Sequence, residues 1–174
     1  MGKKGWILRV TLVSVVTSMV FTLVATEVLS GAGYAAAFIT LAVFVSLGII
    51  FDVIGIAVTA AVEAPFHSMA AHHERGATEA ISLIKNADKV SSVCNDIVGD
   101  ISGIVSGSMA ALVAARLAFS FSASALALQL VVSGAVTGLM IGGKAAGKNV
   151  AINNTNTIVL RIGKTLSFFS RIGK

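Results

Sequence analysis

The sequence predicts an all-α integral membrane protein with four transmembrane helices. Three observations carry this. The 174-residue chain is 56% hydrophobic and only 12% charged, where soluble domains average roughly 25% charged. Long stretches hold no charge at all: Val10 to Thr26, Val28 to Phe51 and Leu117 to Gly143. Runs of about 17–25 apolar residues are enough to cross a hydrocarbon core of about 30 Å. The basic residues are also sorted. Lys3, Lys4 and Arg9 precede the first span, and Arg75, Lys85 and Lys89 lie between the second and third. Lys144, Lys148, Arg161, Lys164, Arg171 and Lys174 follow the fourth, and Arg116 alone falls on the opposite side. This positive-inside pattern predicts a multi-pass protein of the cell (plasma) membrane with both termini cytoplasmic. The net charge of +5 then reflects topology and anionic lipid, not a nucleic-acid partner.

The first span is expected from about Ile7 to Leu29, rich in Val and Thr that suit a lipid-facing helix. A cleaved signal peptide is the rival reading, with Lys3 and Lys4 as its basic end and Ser30-Gly31-Ala32 as a cleavage site. The apolar stretch is longer than the usual core of about 7–15 residues, which favours an uncleaved helix. Ser30–Gly33 reads as a short turn that makes spans one and two antiparallel neighbours.

The second span is expected over Tyr34–Val62, with Asp52 past its midpoint. Glu63 and Pro65 mark its boundary, and Pro65 suits the first turn of a new helix. Residues 65–89 are too polar and too broken, at Gly76, to span. They read as a helical hairpin against the cytoplasmic face, with Ile81, Leu83 and Ile84 toward the bundle.

Spans three and four are expected over Val90–Ala115 and Ser122–Gly143. Gly99, Gly103 and Gly107 recur every fourth residue on one, and Gly134, Gly138 and Gly142 on the other. Such strips let helices approach closely, so both are expected to face helices and not lipid. A polar stretch, Asn149–Thr157, leads to a short basic amphipathic helix that suits the inner membrane surface. The chain thus divides into an N-terminal helix and turn (1–33), a three-span unit (34–148) and a juxtamembrane helix (149–174).

The candidate chemistry lies in Cys94-Asn95-Asp96-Ile97-Val98-Gly99-Asp100, at the head of span three. Ionisable groups within a bilayer are costly and usually functional. On an α-helix, Asn95 and Gly99 share one face and Asp96 and Asp100 an adjacent one. Asp52 could add a carboxylate from the neighbouring span. Carboxylate and amide oxygens are the ligands that hard cations such as Mg²⁺ and Ca²⁺ require. The competing reading has these acids capping helices or bonding Ser and Thr. His67, His72 and His73 lack the i, i+4 spacing that sets two ligands on one helix face. The single cysteine, Cys94, rules out an intrachain disulfide and reads as a packing residue. No triad, phosphate loop or catalytic carboxylate pair is legible, so no enzyme is expected.

With this topology in hand, residues from about 36 to 172 resemble the transmembrane domain of the CNNM/CorC family of magnesium transporters. Gly76-Ala77, Ala80-Ile81 and Leu83-Ile84-Lys85-Asn86-Ala87-Asp88-Lys89-Val90 are similar to the family's hairpin. Cys94-Asn95-Asp96-Ile97-Val98-Gly99 is similar to its Asn-x-x-x-Asn motif. The resemblance implies a three-span domain behind one extra helix, a homodimer, and Mg²⁺ held by side-chain and backbone oxygens. It implies metal-site roles for Asn95 and Gly99, while Asp52, Asp96 and Asp100 are candidate metal ligands on the residue chemistry above. Three departures stand out. Gly99 replaces the family's second asparagine, and Asp52 falls near an ion-contacting serine. Lys144-Ala145-Ala146-Gly147-Lys148 stands where the family has Glu-x-x-Pro-Lys, putting a cation in place of an ion-coordinating glutamate.

Two functions are therefore weighed. One is a cation-binding membrane protein that transports or senses Mg²⁺, with another divalent cation or Na⁺ left open. The other is a membrane scaffold or regulator that moves no ion and acts through the hairpin and basic tail. In either case a separate cytoplasmic protein is a candidate partner.

Overall fold

The computed structural model describes residues 3–31, 33–121 and 124–172, and these are helical throughout apart from short turns. Ala32 of the expected turn, Ser122 at the expected start of span four and Lys174 of the tail lie outside the described residues. Four helical stretches are long and apolar enough to cross a membrane: Gly5–Val28, Tyr34–Ala60, Ala87–Phe121 and Ala125–Asn153.

Helix α1 (Lys3–Gly31) and helix α2 (Tyr34–Ala60) form the first two. Helix α2 stops where Ala61 and Val62 turn extended, and α3 (Glu63–Ala71) follows. Pro65 falls in the first turn of α3, where its missing N–H has no intrahelical partner to lose. The turn after α3 uses two left-handed residues, His73 at φ 56° and Gly76 at φ 82°. Gly76 immediately precedes α4 (Ala77–Lys85). Helix α5 (Ala87–Ser91), a π-helical segment (Ser92–Gly99) and α6 (Asp100–Phe121) together make the third long element.

Helix α7 (Ala125–Asn153) starts at Ser124, whose hydroxyl accepts the Ala127 N–H. It runs about ten residues past the end expected from hydropathy, through Lys144, Lys148 and most of the polar stretch. The reason is burial and propensity. Gly147 packs on Val53 of α2, and Ala151 is wholly buried in the cluster around Phe66. Ala145 and Ala146 are strong helix formers. Asn154 then ends the helix, and α8 (Thr155–Ile172) begins at once.

Helices α2, α6 and α7 pack on one another, and α1 lies mainly against α6. Of α1's described side chains only Ala25 is buried, so this helix is the peripheral one. Helices α3 and α4 pack together, and α4 rests on α8. Two apolar clusters result. One joins Leu41 and Phe44 of α2 to Ile101, Val105 and Met109 of α6 and Val136 of α7. The other joins Ala57 and Val58 of α2 to Phe66, Ala80, Ala151 and Val159. Between these clusters along α2 come Gly48, Asp52 and Gly55.

The ends of the bundle are distinguishable. The Lys89 ammonium sits 6.0 Å from the Trp6 ring centroid, so the start of α1 lies beside α5. At the far end the Tyr34 hydroxyl donates to the Arg116 carbonyl at 3.3 Å and also meets the Ser120 hydroxyl.

Candidate intramembrane cation site

The π segment decides which side chains meet. An α-helix sets residues five apart about 140° around its axis. The wider π turn, with its i→i+5 bonds, brings such residues closer together around the axis. Here the Asp100 N–H bonds the Asn95 carbonyl, which narrows the angle between Asn95 and Asp100. Of Asp96 and Asp100, expected on one helix face, only Asp100 has an ion pair among the described residues. Asp96 is exposed, and no ion pair joins it to a described residue.

Asp52 of α2 and Asp100 of α6 converge on Lys144 of α7. The Lys144 ammonium stands 3.9 Å from Asp52 Oδ1 and 3.6 Å from Asp100 Oδ1. The Asp52 and Lys144 side chains are 16% and 26% exposed, whereas Asp100 is 68% exposed. Asp52 comes about five turns after Tyr34, roughly 27 Å along α2. That is near the Phe66 end of a hydrocarbon core of about 30 Å, where a charge costs less than at the centre.

Glycines make room for this group. A Cβ at Gly99 would lie 3.2 Å from the Cys94 carbonyl, 3.7 Å from the Lys144 ammonium and 3.8 Å from the Gly48 carbonyl. The ammonium thus occupies the space into which a side chain at position 99 would grow. A Cβ at Gly48 would overlap Met140 and stand 3.4 Å from the Gly99 carbonyl. A Cβ at Gly55 would overlap the amide of Asn95. Asn95 donates to the Ser91 hydroxyl at 3.2 Å, while its Oδ1 is buried with no described partner.

Ser102 and Ser106 were not singled out by sequence reasoning. Both are wholly buried on α6, and neither hydroxyl has a partner among the described residues. Ser102 adjoins the site, its Cβ 3.3 Å from the position a Gly48 Cβ would take. A serine within a small-residue helix is common, so only the structure separates these two from the exposed Ser108.

The expectation for the glycine strips is corrected in part. Gly99 lies in close contact, and Gly103 meets the Met140 side chain at 3.5–3.6 Å. Gly107, Gly134, Gly138 and Gly142 have nothing within 4 Å of a Cβ position. The tight contacts of α7 fall instead at Gly143 and Gly147, against Ile49 and Val53 of α2. A four-residue period marks a face but not which neighbour covers it.

Elsewhere, His67 pairs with Glu63 at 3.2 Å on α3, and Cys94 is buried and free. No three of the described His, Cys, Asp and Glu residues come together to hold a metal ion. The oxygens available are two carboxylates, the Asn95 amide and nearby backbone carbonyls, with an ammonium among them. The donor set is hard, and it suits Mg²⁺, Ca²⁺ or Na⁺ over a thiophilic metal. Compared with known proteins, the chain matches no family model, no curated protein and no solved structure.

Proposed function

We propose that this is an integral membrane protein that binds a hard cation within its helical bundle, Mg²⁺ foremost, and so transports or senses it. The observation that carries the reading is the convergence of Asp52 and Asp100, from different helices, on one cation at 3.9 and 3.6 Å. The Gly48 and Gly99 carbonyls supply neutral oxygens nearby, and Asn95 Oδ1, packed on Gly55, is a further one on the same segment. The resemblance to the CNNM/CorC transmembrane domain supports the same reading and adds a homodimer. We place both termini, the α3–α4 hairpin and α8 in the cytoplasm of a plasma-membrane protein, because basic residues concentrate at that end.

The test is a melting curve of the purified chain against Mg²⁺ concentration at constant ionic strength. A cation that binds the folded form raises thermal stability by mass action. Asp52→Asn and Asn95→Ala should reduce that gain, and His72→Ala should leave it intact. If Mg²⁺ and Ca²⁺ stabilise no more than Na⁺, and Asp52→Asn changes nothing, the reading is wrong. A scaffold or regulator would then take its place. That reading draws on Lys144 already pairing with both acids, and on the docking of α4 against α8.

A further inference from the structure

We propose that Lys144 is the resident cation of this site, and that a divalent cation enters only by displacing its ammonium. The proposal rests on the cation-site reading above and adds how that site is regulated. The ammonium lies between carboxylates of two different helices, in the place a bound ion would need. Two independent observations point to a ligand set larger than this trio. Ser102 is wholly buried with an unpartnered hydroxyl, and Asn95 Oδ1 is buried and unpartnered. Both are hard oxygen donors on the segment that carries Gly99 and Asp100.

Charge balance selects the mode of entry. Two ionised carboxylates against one ammonium leave one negative charge uncompensated. A monovalent ion can supply that charge with Lys144 in place. A divalent ion beside the ammonium would leave an excess positive charge and two like charges only about 4 Å apart. If the ammonium departs, the divalent ion balances both carboxylates alone.

The geometry says what can move. The backbone of α7 is pinned, because Gly143 and Gly147 press on Ile49 and Val53. The Lys144 side chain is partly exposed and carries a flexible four-carbon stem. The exposed Lys148 one turn further on marks the direction in which the ammonium can reach water.

Two measurements test this on the full chain in detergent. Reductive methylation followed by mass spectrometry reads the accessibility of each lysine amine. Mg²⁺ should speed modification of Lys144 several-fold, Na⁺ at equal ionic strength should not, and Lys164 should be unaffected by either. No Mg²⁺-dependent rise at Lys144 would overturn displacement. The second measurement compares Mg²⁺ melting titrations of the wild type, Lys144→Met and Lys144→Arg. Lys144→Met should reach half-maximal stabilisation at a Mg²⁺ concentration at least about tenfold lower, since a like charge at this range has gone. Lys144→Arg should stay near the wild type. Equal midpoints for the wild type and Lys144→Met overturn displacement and leave the cation site standing. No response in either overturns the site itself, and displacement with it. A response in Lys144→Met alone overturns displacement, because the ammonium then never leaves the native chain.

Discussion

Lys144 and Lys164 each meet carboxylate oxygens, but in opposite surroundings. The Lys164–Glu74 pair is the shorter, at 3.1 Å, and joins α8 to the turn before α4. Both its side chains are largely exposed, at 47% and 40%. The Lys144 contacts are longer, yet Asp52 lies between packed helices at 16% exposure. Distance therefore ranks these contacts in the wrong order. An exposed pair is screened by water, whereas a carboxylate largely enclosed by helices has little water to replace a lost partner.

What holds the exposed pair in place is the backbone and not charge. A Cβ at Gly163 would overlap the Gly76 carbonyl and lie 3.1 Å from the Ala80 amide nitrogen. Helices α4 and α8 touch main chain to main chain there, and the ion pair forms beside that contact.

The largest effect expected from this comparison is at Lys144. In metal-free buffer Lys144→Met should lower stability by about 2–4 kcal/mol, less than a fully buried pair because Asp100 is exposed. An SDS unfolding titration followed by circular dichroism reads this, and a loss no greater than that of Glu74→Gln would erase the distinction. Next comes Gly163→Ala. It should cost about 1–3 kcal/mol through overpacking, and should speed amide exchange in α4 and α8 but not in α6. Unchanged exchange in α4 would mean that the glycine contact is dispensable. The smallest effect should be Glu74→Gln, below about 1 kcal/mol. Added salt should shrink even that difference, and a salt-independent loss would place Glu74 in a drier setting than its exposure implies.

Much of the helical frame is legible in the sequence, for a physical reason. Uncharged runs between charge clusters measure out spans directly, and four such helices are present. Their ends are less legible. Hydropathy stops span four near Gly143, but a helix continues wherever backbone bonds and packing continue, here to Asn153. The candidate site is half legible. Asp52, Asn95 and Asp100 stand out because each interrupts an apolar stretch. Which of them meet is hidden, because the π register is a property of backbone hydrogen bonds and has no compositional mark. The same holds for Lys144. In the sequence it is one more basic residue after span four, and its position between two carboxylates emerges only once three helices are assembled. The glycine periods mislead for a related reason, since Gly138 and Gly147 look equally suited to close packing and only the latter is covered.

The π segment has a further consequence. It makes chain length a determinant of the site in its own right. Residues 92–99 hold one residue more than α-helical winding needs to cover the same rise. Deleting one of residues 92–94 would let the segment rewind as ordinary α-helix. Everything on one side of the deletion would then rotate about 100° against everything on the other. Asn95 and Asp100, still five residues apart, would then stand about 140° around the helix from each other although neither had been changed. The surplus residue acts as a phase setting between the two halves of a long helix, and a shift in that phase would dismantle the site while leaving every ligand in the sequence.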